Sequence, residues 1–260
     1  MSVTTTSESE RIRRRLIGQV DPERIRTTEV PRHDPVPLEA WAALPGLSSL
    51  VADALDEMGA GAVLGTDAVA PLTLGMRVCG PAVTLRYVGV HGEPGTHRAA
   101  RAAILAGDRD LYAVARRGDV AVMDCGGVTS AVMGGLSAQW ALTAGVAGCL
   151  VDGAVRDTTA IVDSGLPVWS RHRNPLAARH RVEAVAVNDV VNIAGRPVRP
   201  GDYIVGDADG ICIVPHALVP AVAERCLAAH AAEEELTAAI ATATDLEELV
   251  RALRTTRVAD

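Results

Sequence analysis

The pattern of apolar and polar residues predicts a chain in which helices and strands alternate. It is clearest over residues 134–157, where two glycines precede an Ala-rich helix, a tight turn, a short apolar strand and a second turn. Leu136, Trp140 and Thr143 recur at helical spacing, which predicts the apolar face of that helix. Gly145 stands where a helix commonly ends.

Apolar runs predict the other strands. The uninterrupted run at residues 148–151 is typical of a strand that is buried on both faces. Further strands are predicted at residues 77–88, 119–124, 166–169, 182–191, 203–205 and 211–214. Helices are predicted at residues 38–58 with a break near Pro45, after Asp157 as far as Asp163, at 217–240 and at about 245–254. This order predicts an α/β fold, and the clustered late strands indicate a mixed sheet with flanking helices.

Three parts of the chain are predicted. Residues 1–36, with a basic cluster and several prolines, form an N-terminal arm that is flexible or wraps a neighbouring subunit. Residues 37–240 form the α/β domain, and residues 241–260 form a C-terminal helix.

Several short sequence motifs predict individual helix caps, loops and turns. Ser48 is a plausible N-cap of a helix that ends at Gly59. Residues 91–98 read as a loop, whose two histidines are solvated or act as ligands. The glycines after Cys125 follow a strand and could cradle a phosphate. They do not fit the spacing of a dinucleotide site, and the segment 207–210 reads as a β-turn rather than a calcium loop.

The composition of the chain argues against several classes of function. The 260 residues carry a formal net charge of −7, which argues against nucleic acid as the main partner. No apolar run reaches the roughly 20 residues of a membrane span, and the N-terminus lacks the apolar core of a secretory signal.

Five cysteines without a C-x-x-C pair fit a reducing cytoplasm. Three of them, Cys79, Cys149 and Cys212, lie in strand-like runs and are expected to be small buried hydrophobes.

The sequence contains no lysine, so all 25 residues counted as Lys or Arg are arginines. This excludes a Schiff-base aldolase, the usual pyridoxal-phosphate enzyme and a Walker-A loop. Carbon–carbon chemistry would have to stabilise negative charge with arginine or a metal ion.

Two residues that could take part in catalysis come just after the buried strand. Arg156 and Asp157 follow its carboxyl end, which is where open α/β sheets bind ligands. A guanidinium beside a hard carboxylate indicates an anionic substrate and a divalent metal ion. The alternative is a salt bridge within a turn.

A basic cluster follows the next predicted strand. Its members are Arg171, His172, Arg173, Arg179, His180 and Arg181. They form either a solvated loop or a positive rim that attracts a di- or tricarboxylate.

Two motifs together resemble the RraA-like family. Gly134 to Ser137 (GGLS), followed by residues 148–157 (GCLVDGAVRD), is similar to the family signature, and the resemblance extends over residues 48–230. The family contains metal-dependent aldolases of 4-hydroxy-4-methyl-2-oxoglutarate and 4-carboxy-4-hydroxy-2-oxoadipate, and the regulator of ribonuclease E activity. The resemblance implies a compact fold related to swivelling β/β/α domains. It also implies self-association as a trimer or hexamer, with the active site between subunits.

The resemblance also implies roles for individual residues. Arg156 would bind the 2-oxo group and stabilise an enolate, and Asp157 would bind Mg²⁺ or Mn²⁺. The backbone amides that would hold the substrate carboxylate are those of Gly134, Gly135, Leu136 and Ser137. The chain has Gly135 where the aldolases carry Asp or Glu, and His180 lies near the position of an aldolase lysine.

The predicted function is therefore a metal-dependent lyase that cleaves a carbon–carbon bond of a 2-oxo acid through a pyruvate enolate. Candidate reactions are the aldolase reaction of the family and decarboxylation of oxaloacetate. Two alternatives stay open: a non-enzymatic regulator of a ribonuclease, and a lyase or hydratase acting on another hydroxylated polycarboxylate.

Overall fold

The structure, a computed structural model, describes residues 8–99 and 107–256. The helices in these ranges are α1 (Glu8–Arg15), α2 (Glu39–Ala42), α3 (Leu47–Glu57), α4 (Pro94–Ala99), α5 (Asp108–Val114), α6 (Gly135–Ala144), α7 (Thr158–Ser164), α8 (Val219–Thr242) and α9 (Leu246–Thr256). The strands are β1 (Ala62–Gly65), β2 (Ala70–Pro71), β3 (Val78–Gly89), β4 (Val120–Asp124), β5 (Ala131–Met133), β6 (Gly148–Val155), β7 (Val168–Arg173), β8 (Val182–Val187), β9 (Val191–Ile193), β10 (Arg196–Val198), β11 (Tyr203–Gly206) and β12 (Gly210–Val214).

A mixed sheet organises the described part of the chain. Its ten strands follow the order β1-β12-β11-β3-β4-β6-β7-β2, with β5 also paired to β6 and β8 also paired to β3. The central strands β3, β4, β6 and β7 are parallel neighbours, whereas β8, β11 and β12 add antiparallel pairs. The long strand β3 changes partners along its length and so joins the parallel part of the sheet to the antiparallel part. The predicted mixed α/β class is confirmed.

Two apolar clusters hold this sheet to its helices. The larger surrounds the central strands, where Val83, Val122 and Leu150 are fully buried. The smaller lies between α2, α3, α8 and the β11–β12 hairpin, with Trp41 and Leu55 at its centre. Because the chain lacks Phe, both clusters are packed largely from Val, Leu, Ile and Ala.

Helix α6 is present as predicted, but the predicted apolar face was wrong. Leu136 is 72% exposed and Trp140 is 42% exposed, whereas Ser137, Ala138 and Ala141 are buried. The helix packs closely against α5 and α7, and only small side chains fit between them. Gly145 ends α6 in the left-handed conformation, as predicted.

The described part of the N-terminal arm packs on its own chain. Asp110 is fully buried and accepts the backbone N–H groups of Ile17, Gln19 and Val20 at 2.7, 2.6 and 2.8 Å. Farther along, Arg32 forms two hydrogen bonds with the carboxylate of Asp119. The alternative of a flexible arm is therefore wrong for residues 17–32, whereas the alternative of a wrap around a neighbouring subunit stays a prediction. Residues 1–7 lie outside the described ranges.

Other local predictions were corrected by the structure. Gly46, not Ser48, is the N-cap of α3, and the Ser48 hydroxyl instead donates to Asp207 at 2.6 Å. Residues 94–99 form α4 rather than a loop, and the His97 ring lies 3.2 Å from the backbone carbonyl of His180. Residues 171–173 belong to β7 rather than to a loop.

The glycine turn after β4 does not have the form of a phosphate cradle. The N–H of Gly126 donates to Asp124, and the turn leads into β5 rather than a helix. The turn amide is therefore held by an acidic side chain, and a bound phosphate would meet that negative charge.

The cysteines are separate thiols. Cys149 and Cys212 are buried as predicted, whereas Cys79 is only partly buried. Burial raises the pKa of Cys149 and of Cys212 to about 12, which makes these thiols poor nucleophiles. Within residues 8–99 and 107–256, no helix combines the length and apolar character needed to cross a bilayer.

Candidate active site

Two neighbouring parallel strands end side by side and create the site. Strand β5 leads through Gly134 into α6, and strand β6 leads through Arg156 and Asp157 into α7. The N–H of Arg156 donates to the carbonyl of Met133 at 2.9 Å, which ties the two strand ends together. The predicted residues therefore meet at the carboxyl edge of the parallel strands, where α/β sheets bind ligands.

The side chains of Arg156 and Asp157 are neighbours without forming a tight pair. Arg156 Nε lies 3.9 Å from Asp157 Oδ2, and the two side chains are 43% and 47% exposed. Such a loose, solvated contact contributes little to stability. The alternative of a structural turn salt bridge is therefore weakly supported, and both groups are available to a ligand.

Asp157 has an unusual backbone conformation for a residue with a side chain. Its φ is +52°, and it is the N-cap of α7, but its carboxylate makes no capping bond there. Instead, Asp157 Oδ2 accepts the N–H of Gly135 at 3.3 Å. The carboxylate is thus directed at the neighbouring helix, and a residue held in the left-handed region is a common mark of a functional site.

Glycines at the start of α6 allow this approach. A Cβ on Gly134 would lie 2.8 Å from Asp157 Oδ2, and one on Gly135 would lie 3.0 Å from the Cβ of Ala160. Both positions are therefore tightly enclosed. The backbone of Gly134 is extended, so the requirement for glycine there is one of space.

The first turn of α6 supplies the amides that the sequence suggested for a substrate carboxylate. The N–H groups in a first helical turn lack acceptors within the helix and attract anions. One of the four, that of Gly135, is already shared with Asp157. The side chain of Leu136 faces outward, and that of Ser137 is buried.

Five of the six candidate site residues, all except Gly135, line one cleft of about 340 Å³. Its lining residues are Gln19, Asp108, Arg109, Ala131, Val132, Met133, Gly134, Leu136, Ser137, Arg156, Asp157, Ala177, Ala178, Arg179 and His180. Three arginines and two aspartates lie among them, so the lining favours an anionic ligand.

Arg109 and His180 contribute polar atoms to the cleft that sequence reasoning had not placed together. The guanidinium of Arg109 lies 5.1 Å from the centre of the Trp140 ring. Arg109 Nε and His180 Nδ1 are buried and lack a hydrogen-bond partner among the described residues. His180 also has a φ of +63°. The Arg109 Nε–H is a donor, whereas His180 Nδ1 donates or accepts according to the ring tautomer, and a buried polar atom of either kind is costly when it has no partner.

Asp108 and Ser137 form a buried polar cluster beside the cleft. Ser137 Oγ lies 2.9 Å from the hydroxyl of Tyr112, and Asp108 is 6% exposed and lines the same cleft. Burial raises the pKa of Asp108, while the Ser137 hydroxyl and the charge of Arg109 oppose that rise. Sequence reasoning missed Asp108, Arg109 and Gln19, because they come from α5 and the arm.

The members of the basic cluster do not all lie at the cleft. Arg179 and His180 line the cleft, as the hypothesis of a positive rim requires. Arg171 instead pairs with Asp152 at 2.5 Å, and Arg173 donates to the carbonyl of Leu72. A rim built from the whole cluster is therefore not present.

Asp157 fits a divalent cation as a single protein ligand. The described residues contain no group of three His, Cys, Asp or Glu side chains able to enclose a metal ion. Mg²⁺ nevertheless keeps several waters and is commonly held by one or two carboxylates together with substrate oxygens. A half-exposed carboxylate that faces an anion-attracting cleft matches that donor set.

Comparison with known proteins gives the family. Residues 48–213 match the family described as Aldolase/RraA, RraA-like. The chain belongs to the RraA-like family. The match includes α6, β6 and the Arg156-Asp157 pair but leaves out the N-terminal arm and the last two helices.

Individual relatives agree with this membership. A protein of Halalkalibacterium halodurans named "Putative 4-hydroxy-4-methyl-2-oxoglutarate aldolase" is 34% identical over 65% of this chain and 72% of its own length. Protein DlpA of Legionella pneumophila is 29% identical over 77% of this chain, which spans only 31% of that longer protein.

Solved structures share the fold. An uncharacterized protein from Pseudomonas syringae superposes with a TM-score of 0.70 and 26% identity, over 87% of this chain and 97% of the other. RraAS2 of Streptomyces coelicolor, described as an unusual member of the RNase ES inhibitor RraA protein family, gives a TM-score of 0.65 at 24% identity, over 79% of this chain and 98% of its own. At 24% identity, the similarity to RraAS2 shows a shared fold and nothing about function.

Proposed function

We propose that this RraA-like protein is a divalent-metal-dependent lyase that cleaves a carbon–carbon bond of a 2-oxo acid. The reaction is an aldol cleavage like that of 4-hydroxy-4-methyl-2-oxoglutarate, the decarboxylation of oxaloacetate, or both. One observation carries the proposal: the half-exposed Arg156 and Asp157 side chains lie against the first turn of α6 in a single cleft.

The cleft can hold the 2-oxo acid by its carboxylate. The amides at the start of α6 and the helix dipole favour an anion there. The side chain of Arg156 then lies next to the 2-oxo group, because it follows the strand that ends beside Gly134. Its guanidinium binds the 2-oxo oxygen and stabilises the negative charge that develops on it.

Asp157 is the residue that would hold Mg²⁺ or Mn²⁺. When bound, the cation supplies a Lewis acid for the 2-oxo group, which a lysine-free protein cannot replace with a Schiff base. Both candidate reactions leave the same pyruvate enolate, so the same two residues serve either one.

Release of pyruvate tests this proposal. Chelator-stripped protein is incubated with oxaloacetate or 4-hydroxy-4-methyl-2-oxoglutarate, with and without added Mg²⁺, and pyruvate is measured through lactate dehydrogenase. We expect Mg²⁺-dependent release that Asp157→Asn lowers by about 100-fold or more. The matched control is Asp163→Asn, an exposed carboxylate on α7 outside the cleft, which should retain wild-type activity.

Two results would contradict the proposal. One is the absence of pyruvate from both substrates at any Mg²⁺ or Mn²⁺ concentration. The other is equal activity in Asp157→Asn and wild type. In either case the regulator hypothesis becomes the better account. It predicts that the purified protein slows RNA cleavage by a ribonuclease, whether or not Asp157 is replaced.

A further inference from the structure

One arginine of the cleft has no partner for its charge. Arg109 is the second residue of α5, and it lines the cleft together with Arg156 and Asp157. Its buried Nε lacks a hydrogen-bond partner, and within residues 8–99 and 107–256 no carboxylate forms an ion pair with its guanidinium. A partly buried cation without an acceptor is costly, which indicates that this guanidinium binds an anion that enters the cleft.

Two other segments hold Arg109 in position. Its guanidinium lies 5.1 Å from the centre of the Trp140 ring on α6. A guanidinium over an aromatic ring keeps its planar set of N–H donors free for a carboxylate. The backbone N–H of Arg109 donates to the side chain of Gln19 at 3.3 Å, so the arm supports the start of α5. The cation is therefore positioned before a ligand binds, which lowers the cost of binding.

The other basic residues of the cleft are less suited to a second anionic group. Arg156 is assigned to the 2-oxo group, and Arg179 is exposed to solvent, which screens its charge. His180 offers a single buried ring nitrogen, whose role depends on the tautomer. Arg109 is the remaining group with a fixed charge and several donors.

Arg109 lies about one helical turn from the place proposed for the first carboxylate. That carboxylate would bind at residues 134–137, whereas Arg109 contacts Trp140, which follows Leu136 by one turn of α6. A helical turn rises about 5.4 Å. The two carboxylate carbons of an extended five-carbon diacid are about 5 Å apart. A diacid of this length therefore matches the spacing of the two binding groups.

We propose that Arg109 binds the second carboxylate of the substrate and so selects five-carbon 2-oxo diacids for aldol cleavage. This inference rests on the proposed function. In that reaction the C4 hydroxyl gives its proton to water, C4 becomes a carbonyl carbon, and the electron pair of the C3–C4 bond forms the pyruvate enolate, which takes a proton from water. The carboxylate at C5 keeps its charge throughout, so Arg109 can hold it before and after cleavage.

The same arginine does not help the decarboxylation of oxaloacetate. There the second carboxylate is attached to C3 and must leave as neutral CO₂. A guanidinium bound to that carboxylate would stabilise the substrate more than the transition state. Arg109→Gln should therefore lower aldol cleavage and leave decarboxylation unchanged or faster.

Binding of two unreactive acids tests this role without any cleavage. 2-Oxoglutarate carries the second carboxylate, and 2-oxopentanoate has a methyl group in its place. Calorimetry of the whole protein with Mg²⁺ should give about 10- to 100-fold tighter binding of 2-oxoglutarate. Arg109→Gln should remove this preference by weakening 2-oxoglutarate alone, and Arg109→Lys should keep part of it. The control is Arg196→Gln, at an exposed position of β10 outside the cleft.

Kinetics with a matched pair of substrates gives a second readout. Pyruvate release is measured from 4-hydroxy-4-methyl-2-oxoglutarate and from 4-hydroxy-4-methyl-2-oxopentanoate, which lacks the second carboxylate. Arg109→Gln should lower kcat/KM about 10- to 100-fold for the first substrate, mainly through KM, because the carboxylate is held equally in substrate and transition state. The second substrate should change by less than about threefold, since it makes no contact that the substitution removes.

The outcomes separate this inference from the proposed function. Equal binding of the two acids by the wild type, or the full preference in Arg109→Gln, would overturn the role of Arg109 while leaving the lyase proposal intact. A preference that depends on Arg109, without pyruvate release from any substrate, would overturn the lyase proposal and leave the carboxylate site. If Arg109→Gln does not fold, an undiminished preference in Arg109→Lys overturns the inference and a reduced one supports it.

Discussion

At the residue scale, the position of Asp157 depends on the absence of a side chain at Gly134. The Asp157 carboxylate lies where a Cβ on Gly134 would come within 2.8 Å of it. The conformation of Asp157, with φ at +52°, is therefore maintained by its surroundings rather than by its own preference. Changes at Gly134 should act on the reaction through Asp157.

Gly134→Ala tests this dependence. The new methyl group must displace the Asp157 carboxylate, so we expect pyruvate release to fall by about tenfold or more, with loss of about 1 kcal/mol of stability. The matched control is Gly75→Ala, because a Cβ at Gly75 meets no atom within 4 Å. Equal activity of the two variants would show that the carboxylate need not lie there.

Ser48 and Asp207 provide a pH-dependent prediction remote from the site. Burial alone would raise the pKa of Asp207, but hydrogen bonds from the hydroxyl and N–H of Ser48 and from Asp209 hold it below its ordinary value. Because the folded pKa is lowered, this stabilisation is present above the unfolded value, about 3.9, and is lost as the pH falls through the folded pKa.

Ser48→Ala should therefore cost about 1–3 kcal/mol of unfolding free energy at pH 7, with a smaller difference at pH 3. Denaturant unfolding at both pH values measures this change. Ser49→Ala, at an exposed neighbouring position, is the control. A difference that grows on acidification would contradict the assigned role of Asp207.

At the scale of elements, α5 joins the arm to the cleft. Asp110 on α5 accepts three arm amides, and Gln19, which provides one of them, also lines the cleft. Asp108 is on the same helix, two residues earlier. The arm lies outside the segment that matches the RraA-like family, whereas α5 lies within it.

Asp110→Ala should release the arm. The substitution leaves three N–H groups without their acceptor, for which we expect a loss of about 2–4 kcal/mol. Hydrogen exchange should become faster at Ile17, Gln19 and Val20. Asp56→Asn, at an exposed position on α3, is the control. Unchanged exchange at the arm amides in Asp110→Ala would show that other contacts hold the arm.

Sequence reasoning succeeded where the information was local. The apolar run of β6, the turn at Gly134 and the adjacent Arg156-Asp157 pair lie within one short segment, so their proximity could be inferred. It failed where packing between distant segments decides the outcome. The face of α6 follows from the space left by α5 and α7, and the largest apolar residues gave the wrong face. Asp108 and Gln19 reach the cleft only through tertiary contacts.

At the scale of the whole molecule, α6 presents apolar side chains next to the cleft. Leu136 and Trp140, which lie one turn apart on the helix, are 72% and 42% exposed. Apolar groups clustered in this way are typical of interaction surfaces. Together with the resemblance set out from the sequence, they support the proposal that this face meets another copy of the chain in a trimer or hexamer.

Light scattering after size-exclusion chromatography tests the assembly. We expect a trimeric or hexameric mass for the wild type and a smaller mass for Leu136→Glu, because a charge cannot be buried unpaired in an interface. Leu74→Glu, at a position that is 80% exposed outside α6, is the control and should keep the wild-type mass. A monomeric wild type at micromolar concentration would contradict the proposal.

The most direct test of the account is a double-mutant comparison of Arg156→Lys and Asp157→Asn, measured as kcat/KM for Mg²⁺-dependent pyruvate release from the better of the two substrates. If the two side chains stabilise one developing charge, each substitution alone should lower kcat/KM by about 100-fold, and the double variant should be little worse than the worse single one. Near wild-type activity in both single variants would contradict the central claim.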